Sequence, residues 1–489
     1  MADLRTYISN RPYFLALLPL FFVLHAGLEN HRLNPFLPAL EVYIIYSIVA
    51  FFLTAGAWIF FRNLSKAALL TFIILFINFF FGSFHDFVKS AWPGSFFSGY
   101  SFLLPLACIL VLFATMLLKR STKNFRGISK FLNLLFLILI LIDVAGVFMI
   151  SPADRVTVNN IQFNHDIPES KPDIYLVIAD EYAGKKQLND IFGFDNSEFE
   201  QQLRNRNFHV AEDPSSNYNS TMYSMASLLN MNYLENLSRL QENHADMYDC
   251  GQLVKNNALT RFFMDNGYDI FNHSIFDVQG EEKLAEVKFF PSKKQMILSQ
   301  TLVERFKRDL GYHFISDEKL ERSKKMIREN NEQVINKTIQ TAQQRSSNPK
   351  FVYSHLILPH FPYYFDSNAR EVPPQVMEEE NKLNQADYLS YLKYTNKKLL
   401  KLVDDIIEHA SSPPIILLMS DHGFRQFKTV LNKEYYFMNL NAVLLPGRNY
   451  QEFYPGISNV NQFRIVLNAA FNQQLSLLKD SSIFIWEEN

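Results

Sequence analysis

The sequence predicts two architectures in one chain: a multi-pass α-helical membrane domain of about five spans, then an α/β domain with a mainly parallel central sheet. Three observations lead there. Up to about residue 150 the chain is mostly Phe, Leu, Ile, Val and Ala, gathered in five apolar runs. Beyond about residue 165 the charge density of a water-exposed domain appears. In that second half, short apolar runs ending in polar or acidic residues alternate with segments of helical period.

The apolar runs cover about 12–28, 40–61, 66–84, 100–118 and 131–150. Each reaches or approaches the roughly 20 residues that cross a hydrocarbon core. The first has no clear small-residue cleavage site and four more follow, so it reads as a span and not as a removable leader. Lys and Arg set the orientation. Arg5 and Arg11 precede the first run, Arg62 and Lys66 separate the second from the third, and Lys119, Arg120, Lys123, Arg126 and Lys130 crowd the loop before the fifth. The remaining loops are poor in basic residues, with Arg32 and Lys89. The N-terminus is therefore expected in the cytoplasm of a cell inner (plasma) membrane protein. An odd number of spans then puts the second half outside, in the periplasm. His25, Glu29, Glu41, His85, Asp86 and Asp143 fall near the outer ends. They read as interfacial groups plus one buried carboxyl, or as a polar pocket for a lipid head group with Asp143 at its centre.

At 489 residues the chain exceeds one ordinary domain. The expected divisions are a transmembrane domain over 1–150, an extended linker over 151–170 and an α/β domain over 171–489. Within the last, the charged stretch 300–348 reads as a helical insertion. The formal net charge of −2 argues against nucleic-acid binding, which needs a basic face. The two cysteines, Cys108 in an apolar run and Cys250 in the second half, predict neither a disulfide nor a thiolate zinc site.

DIYLVIAD (173–180) reads as a buried parallel-type strand. Further strands are expected at 208–212, 268–273, 351–358, 414–420 and 441–446, and a helix over 388–406. In an open α/β sheet, chemistry gathers beyond the carboxyl ends of the strands. The first strand ends in Asp180-Glu181, and 414–420 leads into Asp421-His422-Gly423. Carboxylates with one imidazole suit a divalent ion, although a turn with an exposed Asp and a surface His has the same spelling. SSNYNSTMYSMASLLNMNYL (215–234) is a polar loop entering a helix near Thr221. A hydroxyl there meets free backbone N–H groups that favour phosphate, or simply caps the helix. HLILPHFPYYFD (355–366) puts His355 on a strand and His360 just past its end.

The ordered set is strand-Asp, Thr at a helix start, His-x-Pro and strand-Ser-Asp-His-Gly. It resembles the sulfatase-like branch of the alkaline phosphatase superfamily over most of 171–480. Within that branch it is similar to membrane-anchored bacterial hydrolases and transferases such as lipoteichoic acid synthases and phosphoethanolamine transferases. PDIYLVIADEYAG, FGFDNSEFEQQLRNRNF, HLILPHFP and the late LLPG…ISNVNQFRIVLN belong to the pattern. In arylsulfatases the nucleophile opens a Cys-x-Pro-Ser-Arg-x-Ser-Leu run. Aligning Ser-Leu with Ser227-Leu228 puts Thr221 at the nucleophile position, with Tyr223 for Pro and Met225 for Arg. Formylglycine is made from Cys or Ser, so Thr221 cannot supply it. The phosphotransferase relatives use an unmodified Thr. Ser220 is the neighbouring hydroxyl, one residue away in register.

The resemblance implies a site in which Asp180, Asp421 and His422 hold one divalent ion, Zn²⁺ or Mn²⁺ ahead of Mg²⁺ or Ca²⁺. Thr221 is then the reacting ligand and Glu181 an alternative or additional one. His360 would hold a phosphate oxygen or protonate the leaving oxygen, with His355 also on the substrate side. It implies a membrane lipid donor and an envelope glycan or lipid acceptor. The competing functions are a sulfate-ester or soluble phosphoester hydrolase, and a silent membrane scaffold of the same fold.

Overall fold

Five apolar helices follow the five apolar runs: α1 (Phe14–Glu29), α2 (Phe36–Phe61), α3 (Leu64–Ala91), α4 (Tyr100–Arg120) and α5 (Arg126–Val147). The computed structural model describes residues 11–29, 36–92, 94–123, 125–147, 155–164, 167–238, 240–284, 292–311, 317–377, 379–427 and 431–487. Among the described residues four helices, α2 to α5, are long and apolar enough to cross a membrane. Helix α2 has 26 residues, about 39 Å at 1.5 Å each. Helix α1 is shorter, with 16 residues and an internal Pro19. The five expected spans are thus four of full length and one short apolar helix. Phe51 and Phe52 leave about two thirds of their surface uncovered, which suits contact with hydrocarbon and not with water.

By contacts the chain forms two units, Met1–Pro152 with Lys288–Leu320, and Ala153–Val287 with Glu321–Asn489. The charged 300–348 stretch is therefore divided between them. In the first unit, two short helices, Lys293–Leu298 and Leu302–Leu310, are capped by Ser292 and Thr301. Arg305 grips Asp86 with two hydrogen bonds of 2.8 and 2.5 Å. Lys294 pairs with Glu41, and Tyr100 donates to Asp309 at 2.5 Å. Gly82 N–H donates to the Gln300 carbonyl at 2.8 Å, and a Cβ at Gly82 would lie 2.8 Å from Gln300 Cα. Glu41 and Asp86 thus receive basic partners from a segment more than 200 residues downstream. His25 pairs with Asp143 at 3.1 Å.

The second unit carries one six-stranded sheet in the order β2-β6-β5-β1-β4-β3. The strands are β1 (Ile174–Ala179), β2 (His209–Val210), β3 (Asp269–His273), β4 (Lys350–Leu356), β5 (Ile415–Met419) and β6 (Asn441–Leu444). β3, β4, β1 and β5 run parallel, while β6 and β2 are antiparallel to their neighbours. Every residue of β1, β4 and β5 is buried, which is why these strands read as near-continuous apolar runs. Helix Gln385–His409 is started by Asn384, whose side chain accepts from the Ala386 and Asp387 N–H groups. It buries Tyr388, Leu392, Leu399, Leu402 and Ile406 at helical spacing. Segment 155–164 is irregular, and its Val156 N–H donates to Asp249 at 3.0 Å. Residues 151–154, 165 and 166 of the expected linker lie outside the described residues. Cys250 is buried and Cys108 exposed, both as free thiols.

His273 at the end of β3 bonds Thr341 Oγ1 at 2.9 Å. Burial holds its pKa down to about 4, from an ordinary 6.5. A depressed histidine contributes stability that is present above pH 6.5 and is lost as the pH falls towards 4, about 3 kcal/mol at most. His273→Gln should flatten the dependence of unfolding midpoint on pH between 7.5 and 4. Equal acid sensitivity in both proteins would remove His273 as the cause.

Candidate active site

The parallel strands deliver their C-terminal ends to one edge of the sheet, and the chain there is held by an unusual backbone. β1 leads into Asp180, whose N–H donates to the Leu356 carbonyl at 3.0 Å. Glu181 follows at φ 59°, a left-handed conformation that costs a non-glycine residue roughly 1–2 kcal/mol. Its surroundings hold it there. The Glu181 carbonyl accepts from Tyr388 Oη at 2.9 Å, its N–H donates to Asp421 Oδ1 at 3.1 Å, and Tyr182 N–H donates to Ser420 Oγ at 3.0 Å. β5 leads into Ser420, Asp421 and His422. Gly423 is required next, because a Cβ there would lie 2.4 Å from the Met438 carbonyl oxygen.

His422 has a defined tautomer. Its Nδ1 donates to the Gly423 carbonyl at 2.8 Å, which leaves the Nε2 lone pair free. Thr221 Oγ1 lies 3.2 Å from that Nε2. Thr221 is the first residue of helix Thr221–Asn230, and Ser220 is the N-cap. The Ser220 side chain does not cap the helix. It donates instead to Glu242 at 2.6 Å. One turn into the helix, Ser224 Oγ donates to the Asp421 carbonyl at 2.6 Å and ties the helix to the end of β5.

One ligand atom each from Asp180, Asp421 and His422 lie within 4.8 Å of one another. All three residues are at most 2 % exposed. Asp180 Oδ1, Asp421 Oδ2 and Glu181 Oε2 are buried without a hydrogen-bond partner. Three buried carboxylates with orphaned oxygens are costly unless a cation compensates them. Two carboxylates and an imidazole are a donor set for a divalent ion with bonds of about 2.0–2.5 Å. The residues present therefore suit such an ion.

Electrostatics separates the two further histidines. Burial pushes the Asp180 carboxyl up, but His360, His355 and His422 overcome it and hold it below the usual carboxylate range. Burial pulls His360 down, and Glu181, Asp180 and its hydrogen bond to the Phe361 carbonyl more than reverse that, so its pKa is raised. His360 Nε2 lies 3.7 Å from Glu181 Oε2, and its side chain is 28 % exposed. His355 is different from its sequence reading. It is wholly buried on β4, bonded to Tyr353 Oη at 3.0 Å, with Nε2 3.6 Å from Asp180 Oδ2. In that place it stands against the Asp180 carboxylate. Glu181 is also turned away from the three clustered ligand atoms through one oxygen. Its Oε1 accepts from Arg425 N–H at 3.0 Å and Gln426 Nε2 at 3.2 Å.

Sequence reasoning missed Arg425, Glu242 and Tyr388. Arg425 stands three residues past His422, close enough to be suspected, whereas Glu242 and Tyr388 carry no local signal.

The sulfatase family model matches residues 176–465, which take in most of β1, the Thr221 helix and the ends of β4 and β5. This chain belongs to the sulfatase family. Solved structures similar to it include the C-terminal periplasmic domain of phosphoethanolamine transferase EptC from Campylobacter jejuni, at 16 % identity and a TM-score of 0.35, covering 64 % of this chain and 94 % of that one. The corresponding domain of EptC from Escherichia coli, in complex with Zn, has 13 % identity and a TM-score of 0.38, covering 62 % and 83 %. An alkaline phosphatase superfamily protein from Vibrio parahaemolyticus has 11 % identity and a TM-score of 0.36, covering 61 % and 66 %. No curated protein matches the chain. This sulfatase-family chain also carries, among its described residues, four helices long and apolar enough to cross a membrane.

Proposed function

We propose that this sulfatase-family chain is a metal-dependent phosphotransferase or hydrolase that cleaves phosphoester or phosphodiester bonds through Thr221, with a phospholipid head group as donor. The observation that carries this reading is the 3.2 Å approach of Thr221 Oγ1 to His422 Nε2, inside the cluster of buried Asp180 and Asp421. A Thr hydroxyl is a weak nucleophile at neutral pH. Asp180, Asp421 and His422 would hold a divalent cation, Zn²⁺ or Mn²⁺ ahead of Mg²⁺ or Ca²⁺, which would supply the positive charge that favours the Thr221 alkoxide. Thr221 Oγ1 attacks phosphorus and the ester P–O bond breaks. The Thr221 proton passes to solvent water, and His360, whose pKa is raised by Glu181 and Asp180, gives a proton from Nε2 to the departing oxygen. A phospho-Thr221 enzyme results from a phosphomonoester; from a phospholipid that releases diacylglycerol, the phosphoryl group on Thr221 still carries the head-group alcohol. An envelope glycan or lipid hydroxyl, or water, then attacks the phosphorus and releases Thr221. Thr221 cannot become formylglycine, which argues against the sulfate-ester reading.

Purified full chain in vesicles of phosphatidylethanolamine and phosphatidylglycerol should release diacylglycerol. If soluble 4-nitrophenyl phosphate is cleaved but neither lipid is, the donor is soluble and the lipid reading fails. The basic loops also predict an external site. A phosphatase reporter joined after about residue 150 should be active, and one within the 119–130 loop inactive. The reverse pattern would put the α/β unit in the cytoplasm.

A further inference from the structure

We propose that Arg425 is a positioning residue for the Thr221 hydroxyl, acting through Glu242 and Ser220; this rests on Thr221 being the nucleophile. The loop that aims Thr221, residues 216–220, lies outside helix and sheet and is held by a strap, residues 481–487. The Ile483 N–H donates to the Asn217 carbonyl at 2.8 Å. Asn219 exchanges two bonds with Ile485, at 2.7 and 3.0 Å. The strap continues to Trp486, whose carbonyl accepts from Glu242 N–H at 2.7 Å. Arg425 joins these pieces. Its guanidinium NH1 lies 3.2 Å from Glu242 Oε1, 3.4 Å from the Asn219 carbonyl and 3.9 Å from Glu487 Oε1.

The same Glu242 oxygen accepts the Ser220 hydroxyl, and this is what gives Arg425 a role beyond packing. Ser is among the best helix-capping residues. Ser220 sits at the N-cap position and forgoes the capping bond. The Arg425–Glu242 pair therefore draws the hydroxyl away and leaves the first-turn N–H groups uncapped beside Thr221. It also sets the backbone direction from which Thr221 Oγ1 reaches His422. Through its own N–H, Arg425 touches Glu181 on the acidic side of the site. One residue thus spans from the nucleophile loop to the turn after β1.

The test uses the full chain, 4-nitrophenyl phosphate as probe, elemental analysis and thermal melts. Arg425→Ala should lower kcat about 100-fold, the size of effect a misaligned reacting group produces, with KM and metal content close to those of the native chain. Glu242→Gln, close to isosteric, should reproduce that fall, and Arg425→Lys, which keeps the charge facing Glu242, should restore part of it. Three results would overturn the proposal: kcat within about threefold of native in Glu242→Gln, a loss carried by KM alone, or a loss that follows metal content. If Arg425→Ala does not fold, Glu242→Gln decides. Thr221→Ala assayed alongside separates the two readings. Full activity in Thr221→Ala removes the nucleophile itself, whereas an inactive Thr221→Ala beside an active Glu242→Gln removes only the role of Arg425.

Discussion

Thr221→Ala should abolish the covalent route and lower turnover by several powers of ten, the scale seen when an enzymic nucleophile is deleted. Thr221→Ser keeps a hydroxyl and should retain part of the activity. The fold should survive, because the N-cap of this helix is Ser220 and not Thr221. Alanine at the first helical position changes stability by less than about 1 kcal/mol. Intact-mass measurement during turnover should reveal a phosphorylated chain in the native protein and none in Thr221→Ala. Ser220→Ala should fall no further than Glu242→Gln, about 100-fold, since that hydroxyl faces Glu242 and positions Thr221 without attacking phosphorus. Loss confined to Ser220→Ala would move the nucleophile by one residue. Equal activity in both variants would exclude a hydroxyl nucleophile from this helix.

The second large effect concerns the metal, and its sign reverses with occupancy. Asp421 Oδ1 accepts from Glu181 N–H at 3.1 Å and from His422 N–H at 2.9 Å, while Oδ2 has no hydrogen-bond partner and lies 3.3 Å from His422 Nε2. Asp421→Asn keeps an oxygen for both bonds and removes one buried negative charge. With the ion present, the native chain should be the more stable protein; an ion at 100 times its Kd adds about 2.7 kcal/mol. After chelation, Asp421→Asn should be the more stable, because one of three crowded carboxylates is gone. Asp421→Asn and His422→Ala should each reduce bound metal below the one ion per chain expected of the native protein. A melt of Asp421→Asn that is lower than native by the same amount with and without chelator would exclude a cation at this cluster. Unchanged metal in both variants would put the ion elsewhere.

The second half of the chain was legible where one strand or one turn contains its own cause. The apolar runs at 174–179, 351–356 and 415–419 read as strands because strands buried on both faces leave no polar positions to confuse the period. Their ends pointed to Asp180, Asp421 and His422 for the same reason: an acidic residue directly after a buried strand has to emerge at the sheet edge. His360 was legible as a residue just past a strand. The burial of His355 was not legible, because burial is not a property of a residue's neighbours in sequence; it depends on Phe276 and Tyr353 closing over it. The charged 300–348 stretch was read as one insertion, since nothing local shows that Arg305 would find Asp86 across 219 residues.

By itself, then, the sequence determined the apolar helices, the positions of the strands along the chain and the acidic and imidazole groups at their ends, because each follows from a local period or a local boundary. Tertiary structure decided which groups meet. It brought Thr221 within 3.2 Å of a histidine 201 residues away and took Ser220 from its helix to Glu242. It also set Arg425 between Glu242 and the Glu181 turn. Such pairings depend on how the strap, the loop and the sheet edge pack together, and hydrogen bonds between distant segments leave no period in the chain that makes them.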